Sequence, residues 1–416
     1  MTGTPTTLNA SNGVLAGAAP KRLLSLDAFR GFVILVMFLV NVGGTDAAFT
    51  LGNWAPEQYR RWMPHMGWSG GRMGNGLADY VFPWFLFIVG VAIPFSMASG
   101  RGRDKPALLR VAQAFRRGVV IYLLGTLLWM ASIGYAPAAG DSNAKWNGPI
   151  TMSVLLHWDI LPLIGFGYVL ATVLALTPRW AQLAFVALVL VGKWALLKIG
   201  LPEGTTDFRH AIDAKQTLQQ TLGTRLGLPG WWSTLITQGL AFGSLVVLGS
   251  LAGTVLRDES LGSQRRARAL LVWGGSLSIA ALGWWLIGDL PFSKDLVSPT
   301  YILITAGTAG LLLAGMYWLV DIRSWTSLTF LRVLGVNALF AYLLAELVWK
   351  MALVRWRVAL PPGFGEPDAV AITAWKAWLQ HFTTPMLGTY LTVALYIAAI
   401  WLVCRAMYTR RWFVKV

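Results

Sequence analysis

The stretch "PHMGWSGGRMGNGLADYVFPWFLFIVG", residues 64–90, decides how the chain is read. A glycine-rich loop holding His65 and Trp68 gives way, through Asp79, to an apolar run that continues to about residue 99. About 20 apolar residues is what an α-helix needs to cross ~30 Å of hydrocarbon. Counting this run as 79–99, comparable runs lie at 23–44, 113–135, 153–176, 181–199, 232–256, 269–288, 300–320, 333–353 and 385–405. Their apolar residues are continuous rather than alternating, which does not fit the strands of a β-barrel. The expected fold is an all-α polytopic membrane protein with about ten transmembrane helices. Lys193 interrupts the run 181–199.

The composition agrees. Of the 416 residues, 56% are hydrophobic and 12% are charged, against about 25% charged in a soluble domain. In a soluble protein the net charge of +16 would point to nucleic acid. In a chain of membrane spans, the same excess anchors cytoplasmic loops. The lipid bilayer is therefore the expected environment, and nucleic acid is not an expected partner. The single cysteine, Cys404, excludes an internal disulfide and a cysteine metal cluster. Residues 1–20, rich in Thr, Ala, Gly and Asn, read as a disordered cytoplasmic tail. They lack the apolar core of a cleaved signal, so residues 21–416 are expected to form a single transmembrane domain.

Lys and Arg gather in alternate connections. Lys21, Arg22 and Arg30 stand at the first run, and further groups extend from Arg101 to Arg117 and from Arg257 to Arg268. Arg405, Arg410, Arg411 and Lys415 follow the last run. That bias puts both termini in the cytoplasm, and an even number of spans agrees with it. The segment 45–78, with His65, then faces the opposite side.

Charged and amide groups within spans are costly and mark pairs or sites. Asp27 and Arg30 share a helix face by their i, i+3 spacing. They read either as an ion pair near the headgroups or, with Arg116 and Arg117, as an anion site facing the cytoplasm. Asn41 lies ~16 Å along the helix from Arg30, at the outer end of the first run, where Asn and Gly also commonly end helices. Asp79 suits the N-terminus of the helix it opens. Glu346 lies ~21 Å beyond Arg332, near the outer boundary, while Asn337 falls on the inner half of the same run. Lys294 stands beside Asp295 in the outer loop "PFSKDLVSPTY", and His157 precedes Asp159 in "LLHWD". No H-E-x-x-H, no Cys/His cluster and no nucleotide phosphate loop is present, so no metal is expected. There is no internal repeat of the kind found in many transporters.

Together these stretches carry a resemblance. "RLLSLDAFRGFVILVMFLVNVGG" followed by "HMGWSGGRMGNGLADYVFPWFLFIVGVAIPFSM" resembles the membrane N-acetyltransferases related to heparan-α-glucosaminide N-acetyltransferase, including bacterial transmembrane glucosamine N-acetyltransferases. The likeness continues through "FSKDLVSPTYILITAGTAGLLLAGMYWLVD" and "LGVNALFAYLLAELV", covering nearly all of residues 22–350. D-x-x-R-G alone belongs to a broader acyltransferase superfamily; its pairing with A-D-x-V-F-P-W-F is the specific feature. The chain departs from the pattern at "SVLLHWDILPLIGFGYVL", where many relatives carry a Gln–Arg pair. Ala345 also stands where the animal enzymes have a second histidine.

The resemblance implies acetyl-CoA as a cytosolic acyl donor, an amino sugar acceptor on the far side, a multi-pass inner-membrane location with a periplasmic site loop, and a homodimer. The family's loop histidine corresponds to His65, and the asparagine ending the preceding helix to Asn41. A histidine titrating near neutrality suits removal of a proton from the attacking amine, or transient carriage of the acetyl group. An asparagine amide suits the oxyanion of the tetrahedral intermediate, and Asp79 suits orientation of the imidazole. Arg30, Arg116, Arg117 and Asn337 are the expected cofactor-binding residues, and Trp68, Lys294 and Glu346 the expected contacts to the acceptor. The competing classes are an O-acyltransferase of cell-envelope glycans and a sugar transporter.

Overall fold

A computed structural model describes residues 23–43, 76–98, 105–133, 155–199, 217–288, 290, 292–348, 357–359 and 368–414. His65, Trp68 and the first 20 residues lie outside them. The elements are α1 (Leu24–Gly43), α2 (Leu77–Ala98), α3 (Ala107–Ile133), α4 (Ile160–Leu174), α5 (Arg179–Lys198) and α6 (Leu218–Leu226). Then come α7 (Gly230–Thr234), a π-turn (Leu235–Gly239), α8 (Leu240–Arg257), α9 (Ser263–Gly288) and α10 (Pro299–Met316), the last running into a second π-turn (Tyr317–Ile322). A 3-10 turn (Thr326–Leu328), α11 (Thr329–Val336) and α12 (Ala338–Leu347) follow, then strands β1 (Arg357–Ala359) and β2 (Asp368–Val370), and finally α13 (Ala371–Phe382) and α14 (Pro385–Thr409).

Within the described residues each expected apolar run overlaps a helix or, for 333–353, the bent pair α11 and α12, but the count of ten spans is not reached. Among the described residues, seven helices are long and apolar enough to cross a membrane, or eight if the bent pair around Asn337 is one span. α4 is apolar but only 15 residues long. α11 and α12 meet at 66°. The expectation of helix throughout needs one correction: β1 and β2 form a small antiparallel hairpin, Arg357 opposite Val370. Lys193 does not break α5, which runs through it from Arg179 to Lys198.

α8 is the axis of the fold, buried without a break from Ala241 to Gly253. It packs on α2, on α4 and on α10. Small residues allow these approaches, as they do where membrane helices lack a hydrophobic drive to associate. A methyl group on Gly90 would overlap the Val246 carbonyl, and one on Gly249 the Phe87 carbonyl, so α2 and α8 meet backbone to backbone. Gly31 and Gly335 do the same for α1 and α11, against the carbonyls of Leu331 and Asp27. The outward faces of α3, α5 and α9 carry exposed apolar side chains such as Phe115, Leu188 and Ile287, as a lipid-facing surface requires.

One end of the bundle is basic. There Asp321 accepts hydrogen bonds from the Leu24 and Ser25 N–H groups at 3.2 and 3.0 Å, capping the start of α1. Arg323, Arg405 and Arg410 lie over the rings of Trp318, Trp401 and Trp412. The C-terminal segment turns back at Arg411 (φ 57). Asn337, at the bend, donates to the Trp412 carbonyl at 2.9 Å and accepts from the Val414 N–H at 3.0 Å.

Candidate functional site

At the opposite end, where α1 stops and α2 starts, the helices splay and leave a chamber. Its empty space, counting the open mouth, is about 650 Å³. α1 supplies Val33, Ile34, Met37 and Val40; α2 supplies Ala78, Val81, Phe82 and Phe85. Both sets have the i, i+3/i+4, i+7 spacing of one helix face. Ile160, Leu161 and Ile164 of α4, with Leu339 and Tyr342 of α12, complete the sides, and Lys294 reaches in from the loop before α10.

The charged feature at this end is built on Asp79. Its side chain is 1% exposed, in the first turn of α2. One carboxylate oxygen accepts the Gly76 N–H at 2.9 Å, satisfying a free donor of the helix start. The other faces the Lys294 ammonium at 3.6 Å. The buried Tyr301 hydroxyl donates to the Asp79 backbone carbonyl at 2.5 Å. Asp79 is thus a helix cap and a charge partner at once. Burial pushes the Lys294 pKa below its ordinary value, with Asp79 acting in the opposite direction.

The loop that presents Lys294 is held from below. Val297 has φ 47, a left-handed conformation that β-branched residues rarely adopt. Such strain persists where the surroundings over-determine it, and it clusters at functional sites. The Val297 N–H closes a turn on the Lys294 carbonyl at 3.0 Å. Ser298 caps α10 through the Tyr301 N–H and also accepts from the Ser293 N–H at 3.1 Å. Beneath the loop lies Lys193, 2% exposed. Its ammonium donates to the Leu296 carbonyl at 2.9 Å, to Gln219 Oε1 at 2.6 Å and to the Thr237 carbonyl. Thr237 sits in the π-turn, where the helical bonding pattern shifts. Gln219 Nε2 donates to Leu296 as well, at 2.9 Å.

The other expected residues fall in distinct places. Asn41 is in the last turn of α1, one residue beyond the chamber-lining Val40. Glu346 is buried in α12, one helical turn beyond Tyr342. Arg30 pairs with Asp27 at 3.5 Å, as their spacing predicts. Arg117 donates to the Tyr168 hydroxyl at 3.3 Å, and Arg116 is exposed. Arg30 and Asn337 therefore belong to the basic end, and Asp79, Lys294 and Asn41 to the chamber end. His157 lies between α3 and α4, its ring stacked on Trp129 with centroids 4.0 Å apart. Asp159, two residues on, caps α4. Among the described residues, no group of His, Cys, Asp or Glu is placed to hold a metal ion.

Reading the sequence alone misses Lys193, Gln219, Tyr301 and Asp321. The signal for Lys193 was present, since an ammonium within an apolar run must find acceptors, but it read as an interruption.

These features define a polytopic helical membrane protein with a chamber and a charged pair at one end and a basic face at the other. Over 430 residues the chain is 24% identical to the heparan-alpha-glucosaminide N-acetyltransferase of Homo sapiens, covering 87% of this chain and 58% of that protein. The enzyme of the same name from Mus musculus is 25% identical over 410 residues, 87% of this chain and 59% of its own length. The homology bears out the family resemblance read from the motifs. The chain spans under three-fifths of the length of these curated relatives. No family model matches it.

Proposed function

We propose that the protein is a transmembrane acetyltransferase that moves an acetyl group from cytosolic acetyl-CoA to the amine of a glucosamine-type amino sugar at the periplasmic end of the bundle. The observation that carries this is the clustering of the Asp79–Lys294 pair and the end of α1 around one chamber, in a chain homologous to acetyltransferases of this name. The neutral amine attacks the thioester carbonyl. The Asn41 amide stabilises the oxyanion, worth ~3 kcal/mol for one such donor. His65 takes the amine proton, with Asp79 orienting it, and the CoA thiolate leaves. Lys294 and Glu346 contact the sugar, with Trp68 stacking on its apolar face. On the basic face, Arg30, Arg116 and Arg117 pair with the phosphates of CoA. An extended donor bridges the ~16 Å from Arg30 to Asn41. Ten spans with both termini in the cytoplasm of an inner-membrane protein, and a homodimeric assembly, complete the reading.

The test is transfer of labelled acetyl from acetyl-CoA to glucosamine by purified protein. His65→Ala is expected to lower turnover by at least ~100-fold. Equal turnover in the wild type and this variant would remove His65 from the mechanism. Product from glucose but not glucosamine would make the enzyme an O-acyltransferase.

A further inference from the structure

We infer that Lys193 is a positioning residue: by holding the Leu296 carbonyl it fixes the loop that presents Lys294 to Asp79, and so sets the affinity for the acceptor. The inference rests on the reading above in which Lys294 contacts the sugar. It adds to that site a residue that acts on it only through Leu296.

An ammonium within an apolar span is costly, and a methionine would fill a similar volume without that cost. Lys193 nevertheless lies buried on α5. Its acceptors come from three elements: Gln219 on α6, the Thr237 carbonyl on the π-turn and the Leu296 carbonyl on the loop before α10. Gln219 Nε2 donates to that same Leu296 carbonyl. Leu197, one helical turn beyond Lys193, shares a small buried cluster with Leu290 and Leu296. One face of α5 therefore grips Leu296 by its carbonyl and by its side chain.

The grip reaches Lys294 because the loop closes on itself. The Ser298 N–H donates to the Ser293 carbonyl at 3.1 Å, and the Ser293 N–H to the Ser298 hydroxyl at 3.1 Å. The Leu296 N–H donates to Ser293 Oγ at 3.3 Å, and the Val297 N–H to the Lys294 carbonyl at 3.0 Å. Residues 293–298 thus move as one body, and Leu296 cannot shift without carrying Lys294. The positive φ of Val297 needs such support from outside. The far end of the body fixes the other charge. The Ser298 hydroxyl accepts the Tyr301 N–H, and the Tyr301 hydroxyl holds the Asp79 carbonyl. The 3.6 Å between Lys294 and Asp79 is set from α5 on one side and from α10 on the other.

The experiment is steady-state acetyl transfer to glucosamine by the full-length purified protein. It compares wild type, Gln219→Glu and Lys193→Met, each with and without Lys294→Met. Gln219→Glu keeps an acceptor for Lys193 but removes the second donor to Leu296, so it loosens the loop while the ammonium stays satisfied. The glucosamine KM should rise about fivefold in Gln219→Glu, the loss of one hydrogen bond, and further in Lys193→Met, with the acetyl-CoA KM unchanged. In the Lys294→Met background neither substitution should raise it again, because the group they position is gone; a merely structural effect would multiply instead. The Gln219→Glu cycle decides the matter alone where Lys193→Met yields too little folded protein. A glucosamine KM unmoved by Gln219→Glu, or raised by the same factor with and without Lys294, would overturn the inference and leave the acyl-transfer reading standing. An equal rise in the acetyl-CoA KM would do the same. An unchanged glucosamine KM in Lys294→Met alone would overturn the contact of Lys294 with the acceptor, and this inference with it.

Discussion

Two lysines lie among the apolar helices, one buried and one lining the chamber, and they are held in opposite ways. Lys193 is almost fully covered and gives its three protons to three neutral oxygens on α6, on the π-turn and on the loop before α10. Lys294, two residues before Leu296 on that same loop, keeps 28% of its side chain exposed and faces a carboxylate. An ammonium surrounded by carbonyl and amide oxygens has its geometry fixed from all sides. An ammonium against a carboxylate at an open chamber can exchange its partner for a ligand. The difference separates a structural clamp from the lysine proposed to contact the acceptor, whereas the sequence shows only one lysine in an apolar run and one beside Asp295 in a loop.

The largest effect expected from breaking this contrast is on Lys193. Lys193→Met removes three donors and leaves buried acceptors unmet, and should cost ~3 kcal/mol. Thermal unfolding in detergent measures it. Lys294→Met should cost only about 1 kcal/mol, because its exposure lets water screen the loss, yet it should lower transfer to glucosamine. Equal destabilisation by the two substitutions would abolish the distinction between clamp and site.

Asp79→Asn sharpens the contrast from the other side of the pair. The amide oxygen can still accept the Gly76 N–H, so stability should fall by about 1 kcal/mol or less. Transfer should fall at least ~10-fold if the charge orients the base. Unchanged transfer would reduce Asp79 to a helix cap.

A smaller effect concerns pH. Burial lowers the Lys294 pKa, so between that lowered value and the ordinary one the folded protein holds fewer protons than the unfolded chain. Stability then rises with pH across that window. The stability of wild type relative to Lys294→Met should grow as the pH rises toward the ordinary lysine value, near 10.4. A flat or falling difference would contradict the burial.

The smallest effect is at the basic end. Arg30→Ala removes a partner from Asp27 across 3.5 Å, with Arg30 27% exposed, and should change stability by no more than about 1 kcal/mol. Its expected signature is weaker affinity for acetyl-CoA than for the dephospho-CoA thioester would lose. Unchanged affinity for both would leave Arg30 as an ion pair only.

The helices were legible because an apolar run of membrane-spanning length is a local signal. Asp27–Arg30 was legible for the same reason, being three residues apart. The Lys193 clamp was not, because its acceptors are 26, 44 and 103 residues away. Nor was the cap that Asp321 places on α1, from 296 and 297 residues away. The bend at Asn337 was equally hidden: an asparagine in an apolar run looks like a site residue, and its partners lie 75 and 77 residues later. Asp79 was only half legible. Its place at a helix start follows from sequence, but its pairing with Lys294 depends on a loop more than 200 residues on.

That bend has a consequence for how the chain is made. Asn337 breaks the ladder between α11 and α12, and the strand of backbone that satisfies it ends at Val414. The ribosome therefore delivers the kinked span to the membrane long before the residues that fasten it. A stop codon ahead of Trp412 would keep α1 to α14 in the chain and remove both of these partners of the Asn337 amide.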